Sequence, residues 1–265
     1  MRPICDLNEI KAIQIEILQK VHDYCEEKKI IYFLSHGSLI GAVRHKGFIP
    51  WDDDIDIFMP RDDYKKFCDC VPNDQEKLGL EIVNAETKTY FGRPMSKVID
   101  TRTILIEPNY LLDDNIGVNI DIWPLDGVPA SVSEKNKRLK KIKLLINLMY
   151  ARIFRFRACR NIIEKIVHIL SFPISAKSVV KRINKELCLV NFDSSEFVSC
   201  YVDPYKKEFK REWFKSRVLV PFEDKYFYIP GEADKVLSVL YGDYMKLPPI
   251  ENQRPHHVTN VFWKD

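Results

Sequence analysis

Four aspartates fall within five residues of the segment GSLIGAVRHKGFIPWDDDIDIFMP, from Gly37 to Pro60: Asp52, Asp53, Asp54 and Asp56. Asp54 and Asp56 are two apart in DIDIF, an alternating apolar run. Side chains two apart on a strand point to the same face. Two carboxylates on one face repel unless a cation lies between them, and Mg²⁺ takes one or two carboxylates while leaving room for substrate phosphates. Upstream, Gly37-Ser38 follows a predicted strand and opens a predicted helix, a setting that offers backbone N–H groups and a hydroxyl to a phosphate. A third acid is expected where a metal activates a hydroxyl and clamps a leaving oxygen. Asp121, in the apolar strand of VNIDIWPLDG, is its best candidate, because an unpaired carboxylate there is costly. These residue types at these spacings point to phosphoryl transfer.

The neighbouring residues carry weaker signals. Arg44, His45 and Lys46 form a basic turn between the phosphate candidate and the acids, read either as a phosphate clamp or as a solvated loop. Trp51 could stack on a base or sugar, although packing is the commoner fate of a tryptophan. Asp52 shares a face with Asp54 and Asp56 if the strand starts early, whereas Asp53 would point away into solvent. Asp126 falls in the turn after Asp121 and reads as structural. His256 and His257 follow Arg254 and are candidates for contact with a phosphate or leaving group.

Several elements must position these groups. Asp6 and Glu9 form a capping box, and Ile10, Ile13, Ile17, Val21 and Tyr24 then recur at helical spacing. Strands are expected at Ile30–Leu34, Asp54–Met59, Leu80–Val83, Ser96–Ile99, Thr103–Glu107 and Val118–Ile122. A short helix is expected at Leu39–His45, and another at Arg61–Cys70. RVLVPFEDKYFYIP reads as a hairpin around Glu223-Asp224-Lys225, and Glu232–Tyr241 as a late helix. The mixed order of elements fits an α+β sheet core better than a doubly wound one.

The net charge of +3 over 265 residues hides an asymmetry. Residues 131–190 hold 15 Lys/Arg and three Asp/Glu, a net of +12, whereas the rest of the chain is net −9. This stretch reads as helical, an insertion at about 133–190 into one catalytic domain spanning 1–265. KRLKKIKLLINLMYARIFRFRACR mixes basic and apolar residues. It could be a solvated face, a nucleic-acid contact or a helix lying on an anionic membrane; the aromatic and aliphatic content favours the membrane surface. The seven cysteines are irregularly spaced, supporting neither zinc nor a disulfide framework. MRPICDLNEI does not read as a signal peptide, and no apolar run approaches the roughly 18 residues needed to span a bilayer. A cytoplasmic protein is expected, peripheral at the inner face of the plasma membrane.

GSLIGAVRHKGFIPWDDDIDI, IDIWPLDG and YGDYMKLPP resemble the signatures of the LicD family of phosphotransferases, related to fukutin and fukutin-related protein. The resemblance covers about Ile30 to Gly127 and resumes from about Val218 to His257. It implies a nucleotidyltransferase-like fold with Mg²⁺ (one or two ions, or Mn²⁺ in its place) on Asp54, Asp56 and Asp121, and with Gly37-Ser38 at the donor phosphates. The 16 positions from Ser38 to Asp54 exceed the spacing of the wider superfamily but match the longer basic loop of this family. Family members take CDP-linked alcohols such as CDP-choline, CDP-glycerol or CDP-ribitol. A glycan hydroxyl, sometimes on a lipid-linked precursor, attacks the phosphorus bearing the alcohol, and CMP leaves. The alternatives are a nucleotidyltransferase releasing pyrophosphate and a non-catalytic membrane- or nucleic-acid-binding module. No nucleic-acid partner is expected under the leading reading. Trp51, Tyr90, Phe91, Tyr110 and Trp123 are the aromatics available to cage a choline.

Overall fold

The computed structural model of the chain describes residues 1–88, 91–106, 116–153, 156, 162–203, 207–255 and 260–264. His256, His257, Tyr90, Tyr110 and Glu107 lie outside the described residues. The fold is α+β, a mixed sheet flanked by helices.

After a two-residue edge strand β1 (Arg2–Pro3), helix α1 runs Leu7–Lys28. Asp6 caps it by accepting from the Asn8 N–H at 2.9 Å. The reciprocal arm of the expected capping box is absent, because Glu9 instead accepts from Arg2 and from Trp263 Nε1. Ile13, Ile17, Val21 and Tyr24 are buried as their spacing predicts. β2 (Phe33–Leu34), the short helix α2 (His36–Ile40) and a π-helical turn at Gly41–His45 lead to β3 (Asp56–Pro60). Helix α3 (Arg61–Leu78) continues beyond the expected Cys70 despite Pro72 within it. There follow β4 (Leu80–Val83), β5 (Ser96–Asp100), β6 (Thr103–Ile106) and β7 (Asn119–Gly127).

The main sheet runs β2-β3-β7-β5-β4. Only the β3–β7 pairing along that path is parallel. In β7, Asn119, Asp121 and Trp123 are half-buried on one face, while Ile120 and Ile122 are fully buried on the other. This period of two puts Asp121 on the opposite face from Ile120 and Ile122, which fill the core.

The basic segment contains helices α4 (Val132–Ile153), α5 (Ile162–Leu170) and α6 (Ala176–Leu187). Ile142, Leu145, Ile146, Met149 and Ile153 of α4 and Val179, Val180, Ile183 and Leu187 of α6 share an apolar cluster of their own. The apolar side of α4 is therefore a packed helix–helix interface. β8 (Phe197–Ser199) extends the sheet from β7 and pairs with β9 (Glu208–Lys210). The expected hairpin is β10 (Arg217–Phe222) and β11 (Lys225–Pro230). Helix α7 (Ala233–Tyr241) and β12 (Asn260–Trp263) complete the fold, β12 joining β1 to β6. Among the described residues, no helix is long and apolar enough to cross a membrane.

Candidate active site

The acids gather where β3 and β7 begin. Asp56 is paired in register with Asp121 across the parallel strands, and Asp121 is paired with Lys97 across the antiparallel β5. Three adjacent strands thus hold Asp56, Asp121 and Lys97 in one cross-strand row. β3 starts at Asp56 rather than at Asp54, but the ladder reaches back one residue, with the Asp121 N–H donating to the Ile55 carbonyl at 2.8 Å. Asp54 lies just ahead of the strand, and ligand oxygens of Asp52, Asp53 and Asp54 all fall within 4.8 Å of one another.

Asp53 departs from its expected solvent-facing position. It is only 8% exposed, and its backbone carbonyl accepts from Gln14 Nε2 at 3.0 Å. Because the chain is not yet in a strand at this point, alternation does not govern which way Asp53 points.

The cost of crowding is visible in the acidities. Burial, then the charges of Asp54 and Asp56, push the Asp52 carboxyl up to about 8. Burial, then the Asp54 charge, push Asp56 up to about 7, against the pull of His36 and of the Trp123 indole, whose Nε1 donates to Asp56 Oδ1 at 2.7 Å. Carboxylates crowded this way favour any cation that can enter, and an all-oxygen donor set suits Mg²⁺ or Mn²⁺. The residues present fit such an ion.

The Gly37-Ser38 turn adjoins these acids. A Cβ at position 37 would meet Asp52 Oδ2 at 2.3 Å, so the missing side chain is what lets the carboxylate lie against the backbone. Ser38 is buried, and its Oγ accepts from the Asp56 N–H at 2.9 Å, tying the start of α2 to the start of β3.

Each member of the basic turn has a defined place. Arg44 donates to the Tyr244 carbonyl at 2.6 Å and to His45 Nε2 at 2.9 Å, and both residues are half-buried. Lys46 is exposed with φ 58°, and its carbonyl accepts from the Glu223 N–H. Glu223 in turn accepts from the Phe48 N–H at 2.9 Å, latching the loop to the β10–β11 turn. Trp51 is half-buried against the main core. Asp126 lies within β7 and not in the expected turn, but it is structural as read: it is fully buried in a two-pronged pair with Arg61 at 2.6 and 2.7 Å.

Four residues escaped the sequence reading. Lys97 binds Asp121 Oδ1 and donates to Asn119 Oδ1 at 2.9 Å. His36, in the left-handed region at φ 47°, bridges Asp203, 3.0 Å from Nε2, and Asp56, 3.8 Å from Nδ1. Burial alone would lower its pKa, but the Asp203 hydrogen bond and the Asp56 charge outweigh burial and raise it. Asp203 comes from a turn 167 positions downstream. Lys11 of α1 donates to the carbonyls of Ile49 and Pro50 within the field of Asp52. The usable signal was a lysine among apolar strand residues in MSKVID, which needs an anionic partner.

Comparison with known proteins places this geometry. A family model described as "LicD/FKTN/FKRP, nucleotidyltransferase domain" matches residues 29–141, which contain the acidic row, the Gly37-Ser38 turn and Lys97. The chain is 32% identical over 265 residues to "Lipopolysaccharide cholinephosphotransferase LicD" of Haemophilus influenzae, covering 97% of each chain. It is also 35% identical over 77 residues to an uncharacterised protein of Rickettsia typhi, covering 29% of this chain and 25% of that one. On the near full-length match, the chain belongs to the LicD family.

Proposed function

We propose that this chain transfers a phospho-alcohol, with phosphocholine the leading candidate, from a CDP-linked donor to a hydroxyl of a cell-surface glycan or its lipid-linked precursor, with divalent-metal dependence and release of CMP. The observation that carries this reading is the in-register pair of Asp56 and Asp121, with the Asp52–Asp54 cluster electrostatically coupled to Asp56 and lying against Gly37. The near full-length similarity to a lipopolysaccharide cholinephosphotransferase supports the substrate class.

In this reading Asp54, Asp56 and Asp121 hold Mg²⁺ or Mn²⁺, with Asp52 assisting. When bound, the ion neutralises charge on the donor diphosphate. The turn at Gly37-Ser38 seats the phosphates, and Arg44, His45 and Lys46 supply positive charge around them. The acceptor oxygen bonds to the phosphorus carrying the alcohol as the bond from that phosphorus to the CMP oxygen breaks. The acceptor proton passes to a carboxylate, for which Asp121 is the candidate, held in place by Lys97. Trp51 or Trp123 contributes an aromatic face to a quaternary ammonium. The whole of 1–265 works as one catalytic domain with an inserted helical segment at about 133–190. In support, the main core draws on residues from Ile4 to Leu125 and again from Phe192 to Val261, whereas α4 and α6 share a separate cluster. The enzyme works at the cytoplasmic side of the membrane.

The test is to incubate the purified chain with Mg²⁺, CDP-choline, CDP-glycerol or CDP-ribitol, and a glycan acceptor. CMP release together with a new phosphodiester is the expected result. Pyrophosphate instead of CMP would assign a nucleotidyltransferase, and neither product with any donor would sink the reading.

A further inference from the structure

Helix α5 is built the wrong way round for a protein surrounded only by water. By helical spacing, Ile162, Ile163, Ile166, Val167, Ile169 and Leu170 share one broad arc, and Lys165 and His168 fall on the other side. A surface helix of a soluble protein turns its apolar arc inward. Here the six apolar residues are all exposed, Ile162 and Ile163 at 69% and Leu170 at 73%. Lys165 and His168 are half-buried instead, each against the ring of Phe156. Phe172, just beyond the helix, is 74% exposed with the Arg152 guanidinium over its ring.

We infer that the outward arc of α5, continued by Phe172, is a membrane-docking surface that inserts into the headgroup region of an anionic bilayer. Charge complementarity selects this occupant. The segment from 131 to 190 carries a net +12, and Lys137, Lys140, Lys143, Lys181, Arg182 and Lys185 are exposed on the two helices beside α5 in sequence. An apolar helix with lysines around it meets both requirements of an interfacial anchor, apolar insertion and attraction to anionic headgroups. At nine residues α5 is far short of the ~20 needed to span, so it lies on the membrane. The anchor is thus α5 and not α4, whose apolar side is occupied by α6.

The inference uses neither donor nor metal and stands apart from the proposed function. Its test is flotation of the full chain with vesicles of phosphatidylcholine alone or mixed with phosphatidylglycerol. The expected result is flotation with the anionic vesicles only, weakened at least about tenfold in an Ile166→Asp/Leu170→Asp double variant and weakened by salt. Both side chains are exposed, so the variant should keep the circular dichroism spectrum and melting temperature of the wild type. Wild-type protein that stays with no vesicle would overturn the inference, as would a double variant that floats equally well. A wild-type dimer dispersed by the double variant would assign the face to a second copy of this chain and overturn it too.

Discussion

Asp56 on β3 and Asp121 on β7 stand opposite one another on adjacent parallel strands, although 65 positions separate them in the chain. The pairing gives two carboxylates a fixed spacing set by the sheet and not by flexible loops. Asp56→Asn and Asp121→Asn should each lower CMP release by at least about 10²–10³-fold. Metal-free Asp56→Asn should melt no lower than the wild type, because it relieves repulsion. An Asp56→Asn variant with full turnover would refute the metal assignment.

The raised acidities set a pH dependence. Asp52 and Asp56 have folded values of about 8 and about 7, above the ordinary aspartate value near 3.9. Between these limits the folded state binds more protons than the unfolded one, so metal-free stability falls as pH rises from about 4 through about 8. Mg²⁺ should reverse this, and the melting-temperature gain on adding it should grow across the same range. Melting curves in chelator and in Mg²⁺ from pH 5 to 9 would check this; a gain independent of pH would contradict it. Asp52→Asn should flatten the chelator curve.

Gly37→Ala probes the contact between the phosphate turn and the acids. The new methyl would overlap Asp52 Oδ2, at 2.3 Å, so Asp52 must move. Metal affinity measured by calorimetry should drop about tenfold or more. Unchanged affinity would remove Asp52 from the ion's surroundings.

Lys97 and Arg61 both pair with aspartates of β7 but should behave differently. Lys97→Met leaves Asp121 without its partner, and a divalent ion can replace that charge. The variant should therefore lose melting temperature chiefly in chelator and recover in Mg²⁺, with Lys97→Arg intermediate. Arg61→Met strands the fully buried Asp126, at a cost of about 3–5 kcal/mol that Mg²⁺ should not restore. Equal rescue of both variants by Mg²⁺ would contradict this separation.

Much of the site was legible because its signals are local. The alternation in DIDIF and VNIDIWPLDG announces acid-bearing strands, and both form, although β3 starts at Asp56 and leaves Asp54 just ahead of it. The hairpin at Glu223-Asp224 was legible from its own local pattern; Asp126 is structural, but through a buried pair with Arg61 inside β7 and not through the turn its position suggested. MSKVID signals that Lys97 needs an anionic partner, but which partner it finds, and the pairing of His36 with Asp203, lie in contacts across 24 and 167 positions that no local pattern encodes. Asp53 was misread because alternation was extended past the start of the strand. In the basic segment, composition rightly marked an unusual surface. It could not say which apolar arc is covered: among the described residues that of α4 packs on α6, whereas that of α5 is exposed.

The loop from Arg44 to Trp51 is fastened by Glu223 and by the carbonyl of Tyr244. Those fasteners leave the ribosome 175 to 200 residues after the loop positions they secure. The acidic strands can pair earlier, but the basic loop cannot be fastened until the chain has been made past Tyr244. Competence therefore arrives late in synthesis, and a product broken off before that point would carry the complete DDDID motif on a half-built site.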